Sequence, residues 1–389
     1  MQERSNNLGI RLTLQLITST IAVFIAITAL TTKAHATDSI GTASGTVKTC
    51  LSGGASGGKC WAVTIDCPGT PTFYAAAKLN TPSSGTPIGA VVLTTGGGGD
   101  NWYDLNFQEP GQCNGNCGLQ TITDLNNAGY DTFQTNFSDV FQISTDNEFD
   151  GWLTGSLTST IGPRVLACRY ATMVHWIWAT ILGGGTVRPV CATGNSAGSA
   201  ALGYALAQYD LGLSTGPGPV LKLAELTSGP PLSRMDLGCL GTNAPVKSVS
   251  CPPGAMDSEN ISIGDAGKFI DPSYDGETDC TGNTCTPDSS DPCGWSIHNG
   301  VIESPLLAQD SILSTTDTPI LGYTTFVRML FGYADRSAAV PLGSEYYNAV
   351  TTSKAMACVG GTSDLVGHGL PGWASGEAQI VSDIKIKCK

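Results

Sequence analysis

The sequence predicts an α/β fold: a mostly parallel central sheet flanked by helices, with a cysteine-rich insertion or cap. Apolar, β-branched runs alternate with segments whose apolar residues recur at helical spacing, as in strands joined by crossover helices. Between Gly229 and about Thr315 this alternation gives way to proline-, glycine- and aspartate-rich sequence holding Cys239, Cys251, Cys280, Cys285 and Cys293. A structureless loop of that length is uncommon inside a compact domain, so an insertion is expected there. Third, Gly194-Asn195-Ser196-Ala197-Gly198 sits where a strand run meets a helix run.

In chain order, the first 36 residues differ from the rest. Arg4 and Arg11 flank the start of an apolar stretch, Leu12 to Leu30, and Ala34-His35-Ala36 follows. That order is expected of a secretory signal peptide cleaved before Thr37; the polar Gln15, Thr18, Ser19 and Thr20 and the Ala-x-Ala site argue against a retained anchor. Residues 37–389 are then expected to form one domain, with no stable membrane anchor. Losing Glu3, Arg4, Arg11 and Lys33 takes a net +2 from the formal −13, leaving −15. An acidic surface disfavours nucleic acid and anionic lipid as partners.

Ile88 to Thr95 reads as a buried strand ending in Gly96-Gly97-Gly98-Gly99, followed by a helix from about Leu119 to Ala128 and a strand around Asp131 to Gln134. A crossover helix is expected from Arg164 to Ile181, with strands at Val187 to Thr193 and Leu221 to Leu226 on either side of a helix through Ala200 to Ala207. Beyond the insertion come a strand (Thr325 to Tyr333), a helix (Leu342 to Thr351), a strand (Ala355 to Gly360) and a final helix (Ala374 to Ile384). The 49 glycines and 21 prolines carry no collagen-like period and indicate many turns. There is no internal repeat and no dinucleotide fingerprint.

All 14 cysteines follow the export signal, and their even number points to disulfides. Adjacent pairings such as Cys113 with Cys117 and Cys358 with Cys388 are expected, although connectivity is not encoded in spacing. No zinc pattern is complete, so no metal and no cofactor is expected. The acidic stretch Asp271 to Asp279 matches no calcium-ligand spacing and reads as a solvated loop.

Gly194 to Gly198 fits Gly-x-Ser-x-Gly, whose glycines permit a sharp strand-to-helix turn that exposes the serine hydroxyl. Alone the pattern is weak in so glycine-rich a chain; the strand immediately before it and the small-residue helix immediately after give it weight. With these residues the chain, from about Ile88 to Lys389, resembles the α/β-hydrolase superfamily, most of all secreted bacterial carboxylic-ester hydrolases: lipases, feruloyl-type esterases and polyester depolymerases.

The resemblance implies a triad in the order Ser, acid, His. His175 precedes Ser196 and is expected on a helix packing the sheet, and His298 lies in the insertion, as a surface or cap residue. His368, in Gly367-His368-Gly369 between the last strand and the last helix, occupies the loop of the family's histidine. Asp335, closing the preceding strand, matches the family's acid; Asp364, four residues from His368, reads as a turn residue.

The resemblance further implies an oxyanion hole from the N–H of Ala197 and of the Gly97-Gly98 turn, the choice among Gly96 to Gly99 staying open. Asp100, Trp102 and Tyr103 would stand at the mouth and hold substrate. The expected partner is an ester, polymeric and plant-derived esters included. A peptide or amide bond and a non-catalytic binding role are the alternatives.

Overall fold

The computed structural model describes residues 38–51, 54–55, 57–144, 151–155, 161–184, 188–213, 220–240, 261–262, 265–274, 291–301, 305–316 and 318–389. The expected leader, residues 1–36, lies outside them, as do Cys251, Cys280, Cys285 and most of the 271–279 stretch.

One nine-stranded sheet organises the chain: β1 (Thr42–Lys48), β2 (Lys59–Asp66), β3 (Phe73–Asn80), β4 (Gly89–Thr94), β5 (Tyr130–Asn136), β6 (Val190–Asn195), β7 (Leu223–Thr227), β8 (Phe326–Gly332) and β9 (Lys354–Val359). Their spatial order is β1-β2-β3-β5-β4-β6-β7-β8-β9. From β5 to β9 every pairing is parallel; β1, β2 and β3 form an antiparallel flank joined to β5. Every residue of β4, β6 and β7 is buried, as expected of parallel strands covered on both faces.

The principal helices are α1 (Cys117–Asn127), α2 (Cys168–Trp176), α3 (Ala197–Ala207), α4 (Pro292–Asn299), α5 (Ala339–Ala349) and α6 (Ala374–Lys387). Helices α2 and α3 share one apolar core with the sheet, where Trp152, Tyr170, Met173, Leu202 and Tyr204 meet. Helices α1 and α6 cover the other face, around Val91, Leu93, Ile122, Leu223, Ile380 and Ile384. The sheet between these two layers matches the predicted fold class.

Three expectations are corrected. The strand–helix alternation predicts no antiparallel flank, yet β1, β2 and β3 form one. The helix expected over Arg164 to Ile181 is a turn (Pro163–Leu166), then α2, then a π-helical turn (Ile177–Ile181). Cys388 bonds to Cys191, not to Cys358. Cys358 lies on edge strand β9, three strand spacings from β6, or roughly 14 Å, whereas Cys388 sits beneath the sheet centre with its sulfur 3.8 Å from the Ala90 carbonyl of β4. Two cysteines that far apart cannot be bridged.

The other described bridges are Cys50–Cys60, Cys67–Cys168, Cys113–Cys117 as expected, and Cys239–Cys293; Cys358 is also disulfide-bonded. No described cysteine is free, a state that persists in oxidising compartments. Among the described residues no helix is long and apolar enough to cross a membrane.

Candidate active site

Strand β6 ends at Asn195, and α3 begins at Ala197, so Ser196 alone makes the turn between them. Its backbone is left-handed, φ 52° and ψ −121°, a conformation a non-glycine residue holds only when its surroundings impose it. Here β7 imposes it: the Ser196 N–H donates to the Thr227 carbonyl (2.9 Å), and the Thr227 hydroxyl lies 3.0 Å from Asn195 Oδ1. The flanking glycines are required by close approach. A Cβ on Gly194 would lie 2.4 Å from the Gly198 carbonyl oxygen, and one on Gly198 would lie 2.3 Å from that of Thr95.

The structure brings Ser196, His368 and Asp335 together. His368 Nε2 is 2.8 Å from Ser196 Oγ, and Nδ1 is 3.0 Å from Asp335 Oδ2. The loops after β8 and β9 are zipped to each other. Tyr333 N–H donates to the Val359 carbonyl and Ala334 N–H to that of Val366, both at 2.8 Å. A Cβ on Gly332 would strike the Val366 and Gly367 carbonyl oxygens at 2.4 Å, so the histidine loop lies directly against the acid loop.

The Asp335 side chain is fully buried, while 39% of the His368 side-chain surface is open to the cavity and solvent. Burial pushes the Asp335 carboxyl up. Hydrogen bonds from His368 and from the N–H and O–H of Ser337 outweigh it and hold the group below its ordinary value. Asp335 therefore stays ionised to hold an imidazolium.

Asp364 closes a turn, exchanging backbone hydrogen bonds with Gly361, as its sequence context suggested. His298 is exposed on α4. His175 is half-buried on α2, its ring 5.4 Å from that of Trp178, and burial lowers its pKa. Neither lines the cavity beside Ser196.

That cavity, about 580 Å³, is lined by the strand-end groups Gly96, Gly97, Gly98, Asn195, Ser196, Ala197 and His368. In the Gly96 to Gly99 turn the carbonyls of Gly96, Gly98 and Gly99 accept from Gly99, Trp152 and Phe137 N–H. Among the described residues the N–H groups of Gly97 and Gly98 have no acceptor. Ala197 opens α3, where a helix N–H has no intrahelical partner. Gly97, Gly98 and Ala197 thus border the same cavity as Ser196.

Of the expected substrate contacts, Asp100 lines the cavity, and Trp102 and Tyr103 do not. The one-turn helix Tyr103–Asn106 folds Tyr103 into the core beneath the sheet, its ring 4.7 Å from that of Phe107. Trp102 is likewise buried. The missed wall comes from the insertion: Pro231, Leu232, Ile261, Phe269 and Ile270, with Ala338 and Ala339 from the start of α5. Phe269 reaches to 3.4 Å from where a Gly97 Cβ would be.

Asp271 is buried and not solvated. Its carboxylate accepts the Cys293 and Gly294 N–H groups (2.8 and 3.0 Å) at the start of α4. Among the described residues no group of three or more His, Cys, Asp or Glu side chains is arranged to hold a metal ion.

No family model and no curated protein matches the chain. Among solved structures it is similar to Est1E from Butyrivibrio proteoclasticus, at 13% identity over 84% of this chain and 96% of that one, TM-score 0.41. It is also similar to acetyl xylan esterase 1 from a Thermoanaerobacterium species, at 14% identity over 84% and 83%, TM-score 0.39. A third similar structure is an esterase from Pyrobaculum calidifontis, at 14% identity over 84% and 85%, TM-score 0.41.

Proposed function

We propose that the chain is a secreted serine hydrolase that cleaves carboxylic esters through Ser196, His368 and Asp335. The observation that carries this reading is the unbroken line of contacts, Oγ to Nε2 at 2.8 Å and Nδ1 to Oδ2 at 3.0 Å, in a cavity bordered by Gly97 and Gly98, whose N–H groups have no acceptor among the described residues.

A serine hydroxyl is a weak nucleophile at neutral pH and needs a base within hydrogen-bond reach. His368 takes the proton as Oγ attacks the acyl carbon, and Asp335 holds the ring tautomer and stabilises the imidazolium. The oxyanion lies between Ala197 N–H and the Gly97-Gly98 turn. His368 then protonates the leaving alcohol, and water, activated by the same imidazole, releases the acid from the acyl-enzyme.

The wall of Pro231, Leu232, Ile261, Phe269 and Ile270 favours an apolar acyl group. Asp100, Glu109 and Asp265 also line the cavity, with no Lys or Arg among the described lining residues, which disfavours an anionic substrate. Export is supported by the leader sequence and by the disulfides.

The test is a panel of p-nitrophenyl esters of rising chain length beside peptide anilides. Ester turnover that disappears in Ser196→Ala supports the reading. Anilide turnover alone points to a peptidase, and turnover of neither to a binding protein.

A further inference from the structure

We infer that Ser337 is a positioning residue that selects the His368 tautomer able to act as base. This rests on the reading of Ser196, His368 and Asp335 as the reacting set. Ser337 Oγ lies 2.8 Å from Asp335 Oδ1 and 2.8 Å from His368 Nδ1, and Ser337 N–H donates to the same Oδ1 at 3.0 Å. One hydroxyl therefore stands between the acid and the base, beside the direct Nδ1 to Oδ2 contact.

A serine hydroxyl has one proton and two lone pairs. Directed at Nδ1, that proton would require a bare ring nitrogen there. The Nδ1 lone pair would then face Asp335 Oδ2 at 3.0 Å, acceptor against acceptor, and Nε2–H would point at Ser196, where no proton could be taken. Directed at Oδ1, the proton makes a charge-assisted bond to a buried carboxylate, the stronger choice. The hydroxyl lone pair then faces Nδ1, which must carry the ring proton.

Both neighbours of Nδ1 are then acceptors, and Nε2 is left bare toward Ser196. When the imidazolium forms, its Nδ1–H finds two oxygens within 3.0 Å. Because 39% of the His368 side-chain surface is open, a ring held by Asp335 alone would have less to stop it pivoting.

Ser337→Ala removes the hydroxyl and keeps the backbone N–H on Oδ1. In the full mature chain it is expected to lower kcat, and the rate of fluorophosphonate labelling of Ser196, by about 10-fold, the size of one hydrogen bond to a charged group. KM is expected to hold, and the acid limb of the kcat/KM profile to move to lower pH, because the imidazolium has lost an acceptor. Ser337→Thr keeps a hydroxyl and should restore both.

Parental kcat and acid limb in Ser337→Ala would overturn the inference, as would a rise in KM alone, which would make Ser337 a substrate contact. If Ser337→Ala does not fold, Ser337→Cys, which keeps the volume with a weak donor, takes its place with the same expected outcomes. Ser196→Ala run in parallel separates the two levels. If it is inactive while Ser337→Ala behaves as the parent, only the positioning role falls; if it stays active, the triad reading itself falls.

Discussion

The cavity has two unlike halves. On one side, Ser196, Asp335 and His368 hang from the carboxyl ends of β6, β8 and β9, on turns tied by backbone hydrogen bonds to neighbouring strands and loops and packed so closely that a Cβ on Gly194, Gly198 or Gly332 would lie 2.3 to 2.4 Å from a carbonyl oxygen. On the other, Leu232, Ile261, Phe269 and Ile270 come from a connection between β7 and β8 that has lost the strand and helix periods. Positions on the first side are set by strand register, which tolerates no slip. Those on the second are set by side-chain packing and by the Cys239–Cys293 bridge. On the proposed reading chemistry and selectivity are separable, the sheet holding the reacting atoms and the insertion holding the acyl group.

Removing the reacting atoms is the strongest way to break that division. Ser196→Ala and His368→Ala should each lower kcat by about 10⁶, and the double variant by no more, since groups that act as a unit are not additive. Circular dichroism should show both still folded. Asp335→Asn is expected to lower kcat by about 10⁴ through the wrong tautomer, while Asp364→Asn should leave kinetics at parental values; the reverse ranking would exchange the two roles.

On the insertion side, Phe269→Ala should lower kcat/KM for medium-chain esters by about 10- to 100-fold, the range of apolar discrimination, and leave acetate esters nearly untouched. Equal losses on both would mean that the insertion also shapes the chemistry.

The smallest expected effect lies outside both halves. Burial, and then Asp124, push the Glu377 carboxyl on α6 up from 4.5 to about 7. Between those values the folded chain binds more protons than the unfolded one, so stability falls as pH rises through the window. Glu377→Gln should raise the melting temperature at about pH 8 and change it less at about pH 5. Asp335 has the opposite sign: held down, its contribution is present above the ordinary carboxylate value and is lost only as pH falls through its lowered one.

That Ser196, Asp335 and His368 come together was legible because few residues competed: three histidines after residue 36, one Gly-x-Ser-x-Gly between a strand and a helix, and one aspartate closing a strand. The β1 to β3 flank was not. Phe73–Asn80 carries three consecutive alanines, good helix formers, and becomes a strand because β2 and β5 pair with it on both sides. The place of Trp102 and Tyr103 after the glycine run suggests substrate contacts, but a single helical turn directs Tyr103 into the core. Phe269 and Ile270 left no periodic signal, and Ser337 had only the ordinary look of a loop serine until the acid and the base were seen on either side of it.

The Cys191–Cys388 bridge ties β6, the strand leading into Ser196, to the C-terminal end of the final helix, closing a loop of sequence separation 197. In a chain-entropy model such a closure stabilises by about 5 kcal/mol. Its topology matters in another way. Ser196, the whole insertion, Asp335 and His368 all lie within that covalent ring, so a protease that nicks the insertion once opens the ring without freeing either piece. On the proposed reading of an exported enzyme, a chain in a medium full of proteases would be cut long before it came apart, and Ser196 and His368 would stay on one molecule.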